Sequence, residues 1–267
     1  MNCRYAIPTV ILGLIACAIL VCAAPSAAST AHWEWQNPSP TGNFLLDATF
    51  LDANTVIAVG DGGQVLRSQN RGETWHMVSS NVDVKLEGVD FCDALNGIAA
   101  GRPSGTYEDS AAMVTTDGGW TWETYSTGMT GTIMDVACLS PTKSVFVGLG
   151  GRIGITNNGG RNWSQVFTGN YSGLFAVDFP DANTGYAVGD NGTILKTTDG
   201  GASWSVQASG STGYLRGVDF IDVNNGWVVG ANGEVLTTTD GGATWTPTGS
   251  GTTHSLNDVV MLIGGYG

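Results

Sequence analysis

Positive charge is the scarcest thing in this chain: 267 residues carry ten Lys and Arg against 23 Asp and Glu, a formal net charge of −13. A nucleic acid or an anionic membrane surface is held by clustered cations, so neither is expected as a partner. Histidine is as thin. His32, His76 and His254 stand alone, without metal-ligand spacing, and no metal or cofactor is expected. No phosphate-binding loop or nucleophile-elbow serine occurs, and Gly148-Leu149-Gly150-Gly151-Arg152-Ile153 lacks the third glycine of a dinucleotide loop. Sustained helical periodicity is missing outside the N-terminus, which excludes helical solenoids. Hydrophobic residues are not lacking: at 42%, with nine Trp, they suffice for a large core.

An eight-residue phrase, Ser/Thr-x-Asp/Asn-x-Gly-x-Ser/Thr-Trp, occurs five times: Ser68 to Trp75, Thr115 to Trp122, Thr156 to Trp163, Thr197 to Trp204 and Thr238 to Trp245. Its closing tryptophans are separated by 47 residues and then three times by 41, the mark of a repeat architecture. Each unit also holds short runs of Val, Ile, Phe, Leu and Thr between Gly, Asn and Asp clusters, such as Leu215 to Phe220, Gly226 to Gly230 and Glu234 to Thr238. These read as strands joined by tight turns. With the segment after each Trp they make four strands per unit, the size of one blade. The expected fold is all-β, a β-propeller of four-stranded antiparallel blades.

The phrase suits a hairpin. Its Asp accepts backbone N–H bonds across the turn, its Gly takes positive φ without a Cβ clash, and its Trp is large enough to fill the wedge between blades. The residues expected to do this are Asn70 and Trp75, Asp117 and Trp122, Asn158 and Trp163, Asp199 and Trp204, and Asp240 and Trp245. Three sequons, at Asn162, Asn170 and Asn191, arise from the same Asn/Ser/Thr-rich turns.

The phrase resembles the Asp box of BNR-type repeats, found in sialidases, sortilin-like receptors and other propellers. The longer unit, Leu215-Arg216-Gly217-Val218-Asp219-Phe220, then Asn225-Gly226-Trp227-Val228-Val229-Gly230 and the box at Thr238 to Trp245, is similar to the photosystem II stability/assembly factor family of propellers. The resemblance runs from about residue 33 to 262. Departures are Asn70 and Asn158 for the box Asp and Asn162 for the Ser/Thr, all of which keep hydrogen-bonding capacity. It implies a non-enzymatic scaffold that binds a protein partner, such as a membrane-protein assembly intermediate. In that family a basic patch engages the partner, and in this cation-poor chain Arg102, Arg152 and Arg216 are candidates for it.

Residues 1–31 have the order of a secretory signal: Arg4, an apolar stretch from Ala6 to Ala24, then Pro25-Ser26-Ala27-Ala28-Ser29-Thr30-Ala31. An uncleaved membrane anchor is the alternative. Leu14-Ile15-Ala16-Cys17 resembles a lipobox, although the residues after it stay apolar. Every version places the propeller, residues 32–267, outside the cytoplasm. Cys3, Cys17 and Cys22 fall in this leader, leaving Cys92 and Cys138 at the ends of corresponding strands of neighbouring units. Their side chains are expected on opposite blade faces, turned toward each other or apart. Export permits a disulfide; two small buried hydrophobes are the alternative.

Five boxed units do not fill six positions. His254 to Leu262 repeats only a first strand, and the chain stops at Ile263 to Gly267, while Trp33-Glu34-Trp35-Gln36 reads as a last strand preceding the first unit. The ring is expected to tighten to five blades with spare strands at the seam, to stay open, or to be the remnant of a longer gene product; the reading we favour is a six-position arc with an incomplete last blade. An open edge would invite self-association.

If the first strand is innermost, the boxes crowd one face, and the connections between second and third strands share the other with the inter-blade links. That second face is the expected dock. It takes the six-residue insertion of the second unit, in Arg102 to Ser110, with Arg102, Tyr107, Glu108 and Asp109, and near it Arg152, Tyr171, Asp190, Tyr214 and Arg216. The alternative is a sialidase-like glycan-binding or glycan-cleaving surface protein. Glu87, Asp135 and Asp258, near the starts of first strands, are its candidate carboxylates, but only six arginines follow Arg4 and the Phe/Tyr-Arg-Ile-Pro phrase is missing. A third reading is a purely structural cell-surface repeat protein.

Overall fold

The computed structural model describes residues 41–80, 82–103 and 109–261. The leader, the Trp33 to Gln36 segment, Tyr107, Glu108 and Ile263 to Gly267 lie outside the described residues.

Among the described residues, twenty strands form five four-stranded antiparallel sheets, each paired in sequence order. Blade 1 is β1 (Leu45–Phe50), β2 (Val56–Gly60), β3 (Val65–Ser68) and β4 (His76–Val78). Blade 2 is β5 (Val84–Phe91), β6 (Gly97–Pro103), β7 (Asp109–Thr115) and β8 (Glu123–Thr130). Blade 3 is β9 (Ile133–Ser140), β10 (Lys143–Gly148), β11 (Arg152–Thr156) and β12 (Ser164–Val166). Blade 4 is β13 (Leu174–Asp178), β14 (Gly185–Gly189), β15 (Ile194–Thr197) and β16 (Ser205–Gln207). Blade 5 is β17 (Leu215–Phe220), β18 (Gly226–Gly230), β19 (Glu234–Thr238) and β20 (Thr246–Gly249). The second strands are the most deeply buried, as the Val/Ile/Ala-rich runs require. The outer strands are largely exposed.

The boxes sit between third and fourth strands, as expected. In blade 2, Thr115 Oγ1 donates to Asp117 Oδ1 (2.8 Å) and accepts from the Gly119 N–H (3.0 Å). Asp117 also holds the N–H and hydroxyl of Thr121 (2.9 and 2.6 Å), and the Trp122 indole N–H donates to Gly119 O (3.2 Å). Asn70 makes the same closure, taking the Thr74 N–H (2.9 Å) and donating to its hydroxyl (2.9 Å).

The indoles of blades 2 to 5 then wedge between blades. Trp122 packs with Ile57, Val59 and Val65 of blade 1, Trp163 with Ile98 and Ala112 of blade 2, Trp204 with Val145 of blade 3, and Trp245 with Tyr186 of blade 4. Phe91 and Phe220 of the innermost strands, and Phe179 just after β13, meet their own blade's indole edge-on. Blade 3 has Cys138 in that place, and Phe146 of the next strand fills it, 4.8 Å from Trp163. A cation of the preceding blade ties two boxes down: Arg67 Nε donates to Gly118 O (2.9 Å) and Lys196 Nζ to Gly241 O (2.6 Å).

The sixth position is occupied by residues 254–261. The Leu256 N–H donates to Gly230 O (2.9 Å), and the Met261 N–H to Asp219 (2.5 Å). Among the described residues this is an inner segment without partners of its own, the incomplete blade expected from the repeat count. Asp258 of this segment acts electrostatically on Asp47 of blade 1, so six inner segments surround one axis.

Candidate functional site

The innermost strands present their side chains around that axis, and carboxylates line it. Aligning the strands on Phe50, Phe91, Cys138, Phe179, Phe220 and Met261 puts an Asp at one of two levels in every blade. Asp47, Asp135 and Asp258 stand three residues before the aligned position; Asp90, Asp178 and Asp219 stand one before it. Asp47 Oδ2 accepts from Val89 N–H of blade 2 (2.8 Å), and Asp90 Oδ2 from Cys138 N–H of blade 3 (2.7 Å). Asp135 takes Val177 N–H (2.8 Å), and Asp178 takes Phe220 N–H (2.9 Å). The other oxygen of Asp47, Asp90 and Asp135 holds the next N–H of its own strand (2.8, 2.7 and 2.7 Å).

Burial raises these carboxyls, reaching about 7 for both Asp47 and Asp178; Asp90, Asp135, Asp219 and Asp258 are raised as well. Desolvation outweighs the backbone hydrogen bonds, which pull the other way. By surface area Asp258 is exposed and the other five are half-buried although densely ringed by protein, so solvent reaching them along the axis tempers the rise.

At the strand starts, the face opposite the boxes, each innermost strand carries a β-bulge, seen as a register shift that skips Leu46, Glu87, Met134, Phe175 or Arg216. A bulge turns its residue out of the pleat, and these five stand at the mouth of the axis. In blade 2, Lys85 Nζ lies 2.9 Å and Arg102 Nε 3.7 Å from Glu87 Oε1. In blades 4 and 5, Phe175 and Tyr214 meet with ring centroids 6.4 Å apart, and the Arg216 guanidinium lies 5.8 Å from the Phe175 centroid. Arg216 Nε is buried with no hydrogen-bond partner.

Those of the expected docking residues that are described share this face but not one cluster. Arg102 and Glu87 meet in blade 2, and Tyr214 and Arg216 belong to one group in blade 5. Asp109 starts β7 and accepts from Ser126 Oγ (3.1 Å). Arg152 lies against Gly131, and Tyr171 stands 83% exposed on the link between blades 3 and 4. Asp190 is committed to the fold: it opens the turn after β14 and its Oδ2 accepts from Gly173 N–H (3.1 Å). That turn ends at Gly192, with φ +67, where a Cβ would lie 2.0 Å from Ser211 O. Glycine is required there on both counts.

Sequence reasoning passed over Phe175, Met134, Leu46 and Lys85. A signal for the first three was present: between the invariably aliphatic first residue and the following Asp, Gly or Ala, each strand has one slot whose chemistry changes from unit to unit. The glycosidase candidates are placed differently from what hydrolysis asks. Glu87 is held by two cations, and Asp135 spends both oxygens on backbone N–H groups.

The family model described as photosynthesis system II assembly factor YCF48 matches residues 25–173. No curated protein matches the sequence. Among solved structures, YCF48 from Cyanidioschyzon merolae is 19% identical over 80% of this chain and 87% of its own, with a TM-score of 0.52. A YCF48 bound to a D1 peptide is 18% identical over 78% of this chain and 81% of that one, with a TM-score of 0.45. An ancestral GH74 enzyme is 17% identical over 86% of this chain but 34% of its own, with a TM-score of 0.64. At such identities the likeness speaks for the propeller fold alone.

Proposed function

Because the chain belongs to the family described as photosynthesis system II assembly factor YCF48, we propose that it is a non-enzymatic propeller that binds a polypeptide partner during assembly of a photosystem-type membrane complex, outside the cytoplasm. The family match carries the reading. The mouth of the axis supplies a place for it: Tyr214 and Phe175 offer apolar area, and Arg216 offers donors to a carboxylate or backbone carbonyl of the partner. Lys85, Arg102 and Glu87 form a second polar group on the same rim. Net charge makes this a local recognition by one or two cations, not a broad basic surface.

Affinity capture from detergent-solubilised photosynthetic membranes, with wild type and a Tyr214→Ala/Arg216→Ala variant, tests the reading. Recovery of photosystem assembly intermediates by wild type and its loss in the variant is the expected result. Equal recovery by both would remove the rim from the interface, and recovery by neither would remove the partner class.

A further inference from the structure

The two cysteines outside the leader meet between blades. Asp90 Oδ2 accepts the Cys138 N–H at 2.7 Å, which brings the end of β5 beside the end of β9, and Cys92 follows β5 by one residue. Cys92 Sγ faces Asn96 O (3.4 Å) and Cys138 Sγ faces Ser140 O (3.7 Å). Cys138 lines a cavity of about 120 Å³ between blades 2 and 3, on the box-bearing face, with Asn96, Ser140 and Arg161. Asn96 connects the two: Cys92 Sγ lies 3.4 Å from its carbonyl oxygen, Cys138 lines the same cavity as Asn96, and both cysteines are half-buried. Cys92 lies outside that lining and, being half-buried, keeps its own exposure to solvent.

We propose that Cys92 and Cys138 are a reversible dithiol–disulfide site that links blade 2 to blade 3, oxidised by a small disulfide of the glutathione class. The Cys92 thiolate attacks a glutathione disulfide sulfur, releasing one glutathione thiolate. The Cys138 thiolate then attacks the Cys92 sulfur and expels the second. Two protons leave the protein thiols and end on two glutathione thiols, so the cysteines lose two electrons and glutathione disulfide gains them. The local chemistry orders the steps: the hydrogen bond from Cys138 lowers the Cys92 thiol, while the same contact, with burial, raises that of Cys138.

The test uses the full chain with Cys3, Cys17 and Cys22 replaced by Ser, leaving two thiols. Folded protein is treated with oxidised glutathione and mapped without reduction. The expected result is loss of both titratable thiols, one peptide link joining Cys92 to Cys138 within a chain, and return of both thiols with dithiothreitol. Cys92→Ser in the same background should leave Cys138 unlinked within the chain. Two thiols that stay unreactive until the protein is unfolded would overturn the proposal. So would a link between chains, stable glutathione adducts on both cysteines, or a link that dithiothreitol does not open in the folded protein.

Discussion

The carboxylate of Asp47 accepts the backbone N–H of Val89, 2.8 Å away and one blade further round the ring. Four more such bonds carry the pattern on to Met261. Each N–H is taken once, so an Asp at one level favours the other level in the next blade. Blades 1 to 4 alternate accordingly. Blade 5 breaks the rule: Asp178 has already taken the Phe220 N–H, and Asp219 keeps its onward bond to Met261.

The alternation also needs room. Gly88 stands at the level of Asp135 in the next blade, and a Cβ there would lie 2.9 Å from Asp135 Oδ1 and 3.0 Å from its Cα. Gly88→Ala should cost about 1–3 kcal/mol by overpacking, read by denaturant unfolding. Ala176→Gly, at the same level but facing Gly217 in the next blade, should cost about 1 kcal/mol or less.

The pH dependence follows from two opposed sets of carboxyls. Those on the axis are raised, to about 7 for Asp47 and Asp178, so their contribution is full below the ordinary value of 3.8 and is lost as pH rises through 7. In the boxes, Asp199 and Asp240 are held down to about 2 by hydrogen bonds from Ser203 and Thr244, and their contribution is lost as pH falls from 3.8 through 2. Thermal melts should peak near pH 4 to 5 and fall by about 1–3 kcal/mol toward pH 8. In Asp47→Asn/Asp178→Asn that alkaline slope should flatten.

The indole wedge sets the blade interfaces. Trp122 is 9% exposed and bridges blades 1 and 2; Trp122→Ala should cost roughly 3–5 kcal/mol. An unchanged melting temperature would show that the wedge carries no stability.

At the rim, Arg216→Ala should weaken capture of the partner about tenfold, on the order of 1–2 kcal/mol, without lowering the melting temperature. Asp190→Ala should do the reverse, because Asp190 holds the Gly173 N–H and its loss loosens the link between blades 3 and 4. Measuring capture and melting on both variants separates recognition from scaffold.

Much of this was legible in the residues. The five boxes, their spacing and the Val/Ile runs gave the blades and the half-filled sixth position, because hairpin geometry and indole packing are local to one unit and its neighbour. The rim was legible in part. Arg102, Tyr214 and Arg216 were expected on the docking face, but Phe175 was passed over inside its strand and Glu87 was read only as a candidate glycosidase carboxylate, and a bulge is what brings both to the mouth. Asp190 was expected on the docking face, and the structure adds that it anchors a turn.

Sequence alone determined the repeating unit, since strand pattern, turn glycines and the boxed indole need only forty-odd residues to express their physics. Tertiary structure decided which carboxylate meets which N–H, that Cys92 faces Cys138, and which of five bulged residues gather into a rim. Those outcomes depend on how neighbouring blades are rotated about a common axis, and the distances that rotation creates join residues a full repeat apart.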